Sequence, residues 1–284
     1  VTLQFASSIV LIAFTFVLSN QIAHLRAQNP GFTTEQVVRM PLYQRADQTR
    51  YSPRFATRLK RDYNSVHARF MSHPNVVDAA SVRFGVTSFF PTTVRAIGRS
   101  SEEDLPISFL GVEENFLGFF DIRLVVGRDF NETTMQRRDD GVGEFILSES
   151  GIKTLGYEKV ADAIGERMES MSPKVSGTIV GVIEDVMFGS FKATRQPLML
   201  VPDYYNFKTL FVRVRPESLD ETLQHLETTW KHYLPDRPFV FEFLDERIAN
   251  LYKREQGQQR ILSTFSWLSI FVGVMGVFGL AAFL

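Results

Sequence analysis

The two ends of the chain carry its longest uncharged apolar runs. The N-terminal stretch VTLQFASSIVLIAFTFVLS contains no charged residue, and neither does the C-terminal stretch ILSTFSWLSIFVGVMGVFGLAAFL. A helix formed by the second run would be about 36 Å long, which is enough to cross the hydrocarbon core of a membrane. We therefore predict transmembrane α-helices at 1–19, where we expect a truncated span, and at 261–284. A pair of buried core helices is the alternative interpretation.

Between these runs, apolar stretches of strand type alternate with stretches of helical periodicity. Pro53 after Ser52 predicts the start of an amphipathic helix, and Ser148 is expected to cap a short one. Further helices are expected around Phe116–Phe120 and over 220–233. The predicted strands lie at 35–42, 76–84, 92–97, 107–112, 143–147, 177–184, 198–201 and 209–215. Interleaved strands and helices indicate an α+β fold.

The domain predicted for residues 20–244 is large enough to hold its own hydrophobic core. It could form one unit or two subdomains. In the second case, one subdomain would combine about 43–110 with 178–244, and the other would contain 111–177.

The segment that precedes the second apolar run has the pattern of a continuous helix. From Asp245 the sequence DERIANLYKREQGQQR can continue directly into the predicted span, and only Gly257 interrupts it. An isolated glycine costs about 1 kcal/mol in a helix without ending it. We predict a stalk helix at 245–260 that transmits motion between the domain and the membrane. A flexible juxtamembrane link is the alternative.

Composition narrows the function classes. The formal net charge is −1 at pH 7, which gives no support to nucleic acid binding. There is no cysteine, so disulfides and thiolate metal sites are excluded. The histidines show no metal-ligand spacing, and the chain contains no P-loop or nucleophile-elbow motif. We expect no catalytic residue, no bound metal and no cofactor on this chain, which is therefore not predicted to be an enzyme.

Two adjacent carboxylates, Glu184 and Asp185, follow the apolar strand TIVGVI. Strand alternation would place Ile179, Gly181, Ile183 and Asp185 on one face and would point Glu184 to the other. Carboxylates that point apart are poorly placed for shared acid–base chemistry. We expect the Asp185 carboxylate to accept hydrogen bonds from loop amides instead.

Small residues recur in the second apolar run. Gly273, Gly276 and Gly279 are three residues apart, and small residues allow helices to approach closely in a membrane. We predict that this face packs against another helix.

Five stretches, in this order, resemble the FtsX/MacB-like permeases of ABC transporters in the form found in Bacteroidetes-type bacteria. They are LQFASSIVLIAFTFVLSNQIAHLRAQNPGFTTEQVV, VEENFLGFFDIRLVVGRDF, ILSESGIKTLGY, GTIVGVIEDVMFGSF, and FEFLDERIANLYKREQ with GVFGLAAF. Ser148, Ser150, Val186 and Phe191 depart from the family's common letters. Within this resemblance, Gly181, Asp185 and Ser190 are a structural signature without assigned chemistry.

The resemblance implies a MacB-like periplasmic domain flanked by two membrane spans in the bacterial inner membrane. Residues of about 20–260 would then lie in the periplasm. A partner ATPase would bind ATP and drive movement of this domain by mechanotransmission, for export or extraction of a substrate. Further expected partners are a second permease copy or half, membrane lipids and a periplasmic adaptor.

A different class also has a span, an extracytoplasmic domain and a second span. Sensor kinases and chemoreceptors share this plan, so the sensor domain of a two-span signalling receptor is the alternative function. The glycine-rich second run favours the permease.

Overall fold

The structure is a computed structural model in which most of the central domain is described. The described residues are 31–42, 53–83, 85–86, 89–97, 104–131, 142–172, 174–187, 196–203, 207–235 and 237–283, together with Ile9, Val10, Ala13 and Phe16. Nearly all of the predicted span at 1–19 therefore lies outside the described residues. Within these ranges, no helical stretch meets the length and hydropathy of a membrane span.

The described part of the chain contains five α-helices and eleven strands. The helices are α1 (Pro53–Met71), α2 (Phe116–Phe120), α3 (Glu149–Thr154), α4 (Leu219–Tyr233) and α5 (Leu244–Phe283). The strands are β1 (Val37–Pro41), β2 (Val76–Val82), β3 (Phe90–Ala96), β4 (Leu105–Val112), β5 (Leu124–Gly127), β6 (Val142–Ser148), β7 (Arg167–Met171), β8 (Lys174–Ile183), β9 (Leu198–Pro202), β10 (Thr209–Val214) and β11 (Glu242–Phe243). A 3-10 turn covers Val160–Ala163.

Six of the strands form a closed ring. Their order is β4–β3–β7–β8–β6–β9, and β9 pairs in parallel with β4 to complete a strand ring. The antiparallel strands β2, β10, β1 and β11 continue from β4 as a sheet arm. The only register pair between β2 and β4 in the described chain is Val82 with Val112. Strand β5 pairs with the end of β8.

Each part of the sheet has its own apolar core. Every strand of the ring contributes buried side chains to one cluster, for example Phe109, Phe145 and Ile179. The second cluster lies between the sheet arm and helices α1 and α4, with Phe70 and Trp230 among its largest members. On the opposite face of the arm, helix α2 packs its aromatic rings against β10.

The two core clusters have other sequence boundaries than the predicted subdomains. Members of the arm cluster fall within 38–79 and 207–234, whereas the ring cluster draws on 94–201. The difference arises because β4 and β9 lie together in the ring, which keeps the middle of the chain with them. A division into subdomains at 110 and 177 stays a prediction.

The chain divides into two compact units. One comprises 30–189 and 193–247 and contains all eleven strands; the other comprises 1–29, 190–192 and 248–284, whose described part is mainly helix.

The structure confirms most predicted elements, including the helix that starts at Pro53 and the one capped by Ser148, whose side chain accepts a hydrogen bond from the amide of Gly151. Strand β7 was not predicted, because its sequence RMESM is mostly polar. Only Met168 of this strand belongs to the ring cluster.

The predicted alternation along β8 is wrong at its centre. The sequence places Ile179, Gly181 and Ile183 on one face, but the pairing of β8 with β6 contains a bulge that leaves Val180 as an extra residue. A bulge shifts the alternation by one position. Ile179 and Val182 consequently belong to the same core.

Candidate functional site

The loop that follows β8 holds the two carboxylates in separate roles. The Asp185 carboxylate accepts a hydrogen bond from the backbone amide of Ser150, in the first turn of α3, with an N–O distance of 2.9 Å. The exposed Glu184 side chain pairs with Arg123. The carboxylates do not converge, and Asp185 satisfies a helix amide that would otherwise lack an intrahelical acceptor.

Ser148 completes the same cap. Its hydroxyl oxygen accepts from the backbone amide of Gly151 at 3.2 Å and from that of Leu198 at 3.1 Å. The second hydrogen bond ties the start of α3 to the start of β9. Ser148 and Asp185 together are therefore a structural cap, and Ser190, the third residue of the predicted signature, lies outside the described residues.

Gly181 lies where two backbones approach closely. A Cβ atom at this position would be 2.5 Å from the carbonyl oxygen of Arg128, and one at the neighbouring Gly127 would collide with the carbonyl oxygen of Val180. Gly127 also has a φ of +86°, a conformation that side chains with a Cβ rarely adopt. Gly181 is thus placed where only glycine fits.

The three glycines of the predicted packing face lie in α5. Gly273 is buried, Gly276 is half-buried, and Gly279 is exposed, with no contact within 4 Å of the position that a Cβ atom would take there. Packing of this face against another helix stays a prediction.

The start of α5 is anchored to the sheet by residues from opposite ends of the domain. Strand β11 pairs with β1, with Arg39 opposite Glu242. The Arg39 guanidinium forms an ion pair with the Glu242 carboxylate, and Arg247, in the first turns of α5, contacts the same oxygen at 2.8 Å. Leu244 is fully buried. We call Arg39, Glu242, Leu244 and Arg247 the α5 joint.

Electrostatics make Glu242 the central group of the joint. Burial lowers the pKa of Arg39, and the nearby positive charge of Arg247 lowers it further, while the Glu242 carboxylate acts in the opposite direction. One carboxylate thus offsets the repulsion between two guanidinium groups. Charge-assisted pairs of this kind are directional, so they orient the start of the helix.

An aromatic row connects the joint to helix α4. The ring of Phe239 lies 5.9 Å from that of Trp230, and the rings of Phe239, Phe241 and Phe243 follow one another at 5.6 and 6.1 Å. Phe239 and Phe243 pack against the arm cluster. The last residues before α5 are therefore held by both the sheet edge and the core.

Sequence reasoning did not predict this joint. Alternating phenylalanines in RPFVFEFLDER were the available signal, since they indicate an extended segment with one buried face. The pairing with Arg39 could not be found in this way because 203 residues separate it from Glu242.

One carboxyl group with a shifted pKa belongs to a buried network under α1. Burial raises the pKa of Glu113, whose carboxylate accepts from the Tyr63 hydroxyl at 2.5 Å and from the amide of Ser81 at 2.9 Å. Only 6% of this residue is exposed, so we assign the group a structural role. In the described part of the chain, no three His, Asp or Glu side chains are grouped as metal ligands.

Comparisons with known proteins identify the family of the chain and structures with a similar fold. The family model described as the MacB-like periplasmic core domain matches residues 5–229. The periplasmic region of MacB from Actinobacillus actinomycetemcomitans is 12% identical, with a TM-score of 0.53 over 81% of this chain and 98% of that one.

A second solved structure is more distant. The extracellular domain of the noncanonic ABC-type transporter YknZ from Gram-positive bacteria is 13% identical, with a TM-score of 0.47 over 72% of this chain and 98% of that one. No curated protein matches the chain. On the match of residues 5–229, this mixed α/β chain belongs to the MacB-like periplasmic core domain family, within the MacB/FtsX-like ABC transporter permeases.

Proposed function

We propose that the chain is the periplasmic and membrane-anchoring part of a permease subunit whose periplasmic domain is moved by a partner ATPase. In this function, ATP is bound and hydrolysed by the partner, and the movement is transmitted through the stalk helix at 245–260. The moving domain would serve export or extraction of a substrate. A second permease copy or half completes the assembly in the inner membrane.

The observation that carries this proposal is the position at which α5 begins. The helix starts at the α5 joint and contains 40 residues, which corresponds to a length of about 60 Å. An uninterrupted helix is stiff compared with a flexible linker. A movement applied along it would reach Glu242 and, through β11 and β1, the sheet arm.

The membrane spans are part of the same proposal. Residues 261–284 carry no charge, and large apolar side chains on this part of α5 are exposed. They are Phe265, Trp267, Leu268, Phe271, Val272, Val274, Met275 and Phe278. Exposed apolar groups at this density favour a lipid or protein environment over water. We propose that 261–284 and 1–19 anchor the domain, with about 20–260 in the periplasm.

Purification of the full-length parent protein from its native membranes in mild detergent tests this function. We expect an ABC-type ATPase to co-purify in a stoichiometric amount and the complex to hydrolyse ATP. Co-purification of a histidine kinase or a chemotaxis protein, without such an ATPase, would contradict the proposal and would indicate a sensor domain.

A further inference from the structure

A polar groove lies between the end of α1 and the outer face of α4. Its volume is about 430 Å³, within the range of small-molecule sites. We call it the α1–α4 groove. The residues that line it are Arg69, His225, Thr228, Thr229, His232 and Tyr233.

The groove is held open by contacts between the two helices. The Nε2 atom of His225 lies 2.9 Å from the backbone carbonyl oxygen of Arg69, to which it donates. The His225 ring lies against that of His73, with centroids 5.0 Å apart and the ring planes tilted by 37°. His73 is fixed in turn, because its Nδ1 atom accepts from the amide of Asn75 at 3.3 Å. The His225 ring that forms one wall therefore has a defined position.

The side chains that line the groove include a positive charge and no negative charge. None of the lining residues is acidic, and the Arg69 guanidinium forms no ion pair within the described residues. The nearest carboxylate along α4, that of Glu227, lies 2.6 Å from the ammonium group of Lys231. Arg69 is therefore the one formally charged side chain among the lining residues, and its charge is positive.

The backbone carbonyl of Arg69, which could repel an anion in the groove, already accepts hydrogen bonds. The carbonyl oxygen of Arg69 accepts from His225 and, at 2.7 Å, from the hydroxyl of Ser72. One hydroxyl is left for a ligand: Thr229 lines the groove, and its hydroxyl forms no hydrogen bond within the described part of the chain. Its Oγ1 atom is not among the described buried side-chain atoms that lack a partner, so water or a ligand can reach it.

We propose that the α1–α4 groove binds an oxyanion, namely the phosphate or carboxylate group of a small molecule. Arg69 supplies the fork of donors that matches such a group, Thr229 supplies a hydroxyl, and the imidazole of His232 supplies a further donor. The groove does not include any residue of the α5 joint. The inference is therefore independent of the transport function.

Calorimetric titration of the whole chain in detergent, with inorganic phosphate and with acetate as separate probes, tests the site. We expect saturable binding of at least one probe, and about tenfold weaker binding in Arg69→Gln because a charge-assisted contact is lost. Arg61→Gln is the matched control: it removes the same charge from the same helix, at a side chain that is 74% exposed and outside the groove.

The outcomes are distinguishable. Binding of phosphate alone assigns a phosphate ligand, and binding of acetate alone assigns a carboxylate. The proposal is overturned if neither probe binds saturably, or if Arg61→Gln weakens binding as much as Arg69→Gln does. His232→Gln, at an exposed position, is the second variant if Arg69→Gln does not fold.

Discussion

At the scale of single residues, the backbone around β8 depends on two glycines. Gly127 ends β5 with a positive φ and lies against the carbonyl of Val180, which is the extra residue of the β8 bulge. Gly181 lies close to the carbonyl oxygen of Arg128, which would be 2.5 Å from a Cβ atom at this position. The bulge and the turn therefore fit together only because both positions lack a side chain.

Gly127→Ala is expected to destabilise the domain by more than the cost of its positive φ alone. That conformational cost is about 1 to 2 kcal/mol for a residue with a Cβ, and the collision with the Val180 carbonyl adds to it. The measurement is the free energy of unfolding from urea titration.

Two other glycines separate these effects. Gly156→Ala has a φ of +89° but open space, so only the conformational cost applies. Gly118→Ala in α2 has neither feature and should be neutral or stabilising by up to about 1 kcal/mol, because alanine favours a helix more than glycine does. Equal losses in the Gly127 and Gly156 variants would show that the close approach does not matter.

At the scale of elements, the α5 joint connects a helix to a sheet edge through one carboxylate. Arg39 is well covered, with 14% of its side chain exposed, and 36% of the Glu242 side chain is exposed. A covered charged group that loses its partner still bears the free-energy cost of its removal from water, without the attraction that offset this cost. The joint should accordingly be sensitive to the charge of Glu242 and less sensitive to its size.

Glu242→Gln should lower the free energy of unfolding by about 1 to 2 kcal/mol, since Arg39 and Arg247 then repel each other without a carboxylate between them. The control is Glu227→Gln, which removes an exposed pair with Lys231 and should cost no more than about 0.5 kcal/mol. Similar small losses in both variants would mean that the joint is held by apolar packing alone.

At the scale of the whole molecule, transport would depend on the continuity of α5. Helix α5 runs without a break through Gly257, as the sequence predicts. Two kinds of insertion separate its role as a rigid stalk from its role as a linker of fixed length. A helical insertion lengthens the segment but keeps its stiffness, whereas a glycine-rich insertion removes that stiffness.

Insertion of Gly-Gly-Ser at Gly257 in the full-length protein should abolish coupling, while the co-purified ATPase remains bound. An alanine-rich insertion of seven residues, about two helical turns, should retain coupling because it preserves the helix and nearly its phase. The readouts are ATP turnover by the complex and the transport it supports. Undiminished activity after the Gly-Gly-Ser insertion would exclude a rigid stalk.

Local patterns predicted much of this fold correctly. The aromatic helix around Phe116, the cap at Ser148 and the helix that continues through Gly257 all follow from short-range periodicity and capping. Strand β7 was missed because Met168 is its one buried apolar side chain, and the other buried residue, Ser170, is polar, so the sequence shows no clear alternation. Among the candidate sites, the sequence predicted that the carboxylates of Glu184 and Asp185 point apart. It did not predict the α5 joint or the α1–α4 groove.

By itself, the sequence determined the type of most elements, because a helix or strand is specified by residues close together in the chain. Only the tertiary structure decided how they combine: the closure of the ring through β4 and β9, the bulge at Val180, and the pairing of Arg39 with Glu242. Each of these joins segments far apart in sequence, so its stability depends on packing and register that no local pattern contains. The same reason explains why His225 meets Arg69 only in the folded domain.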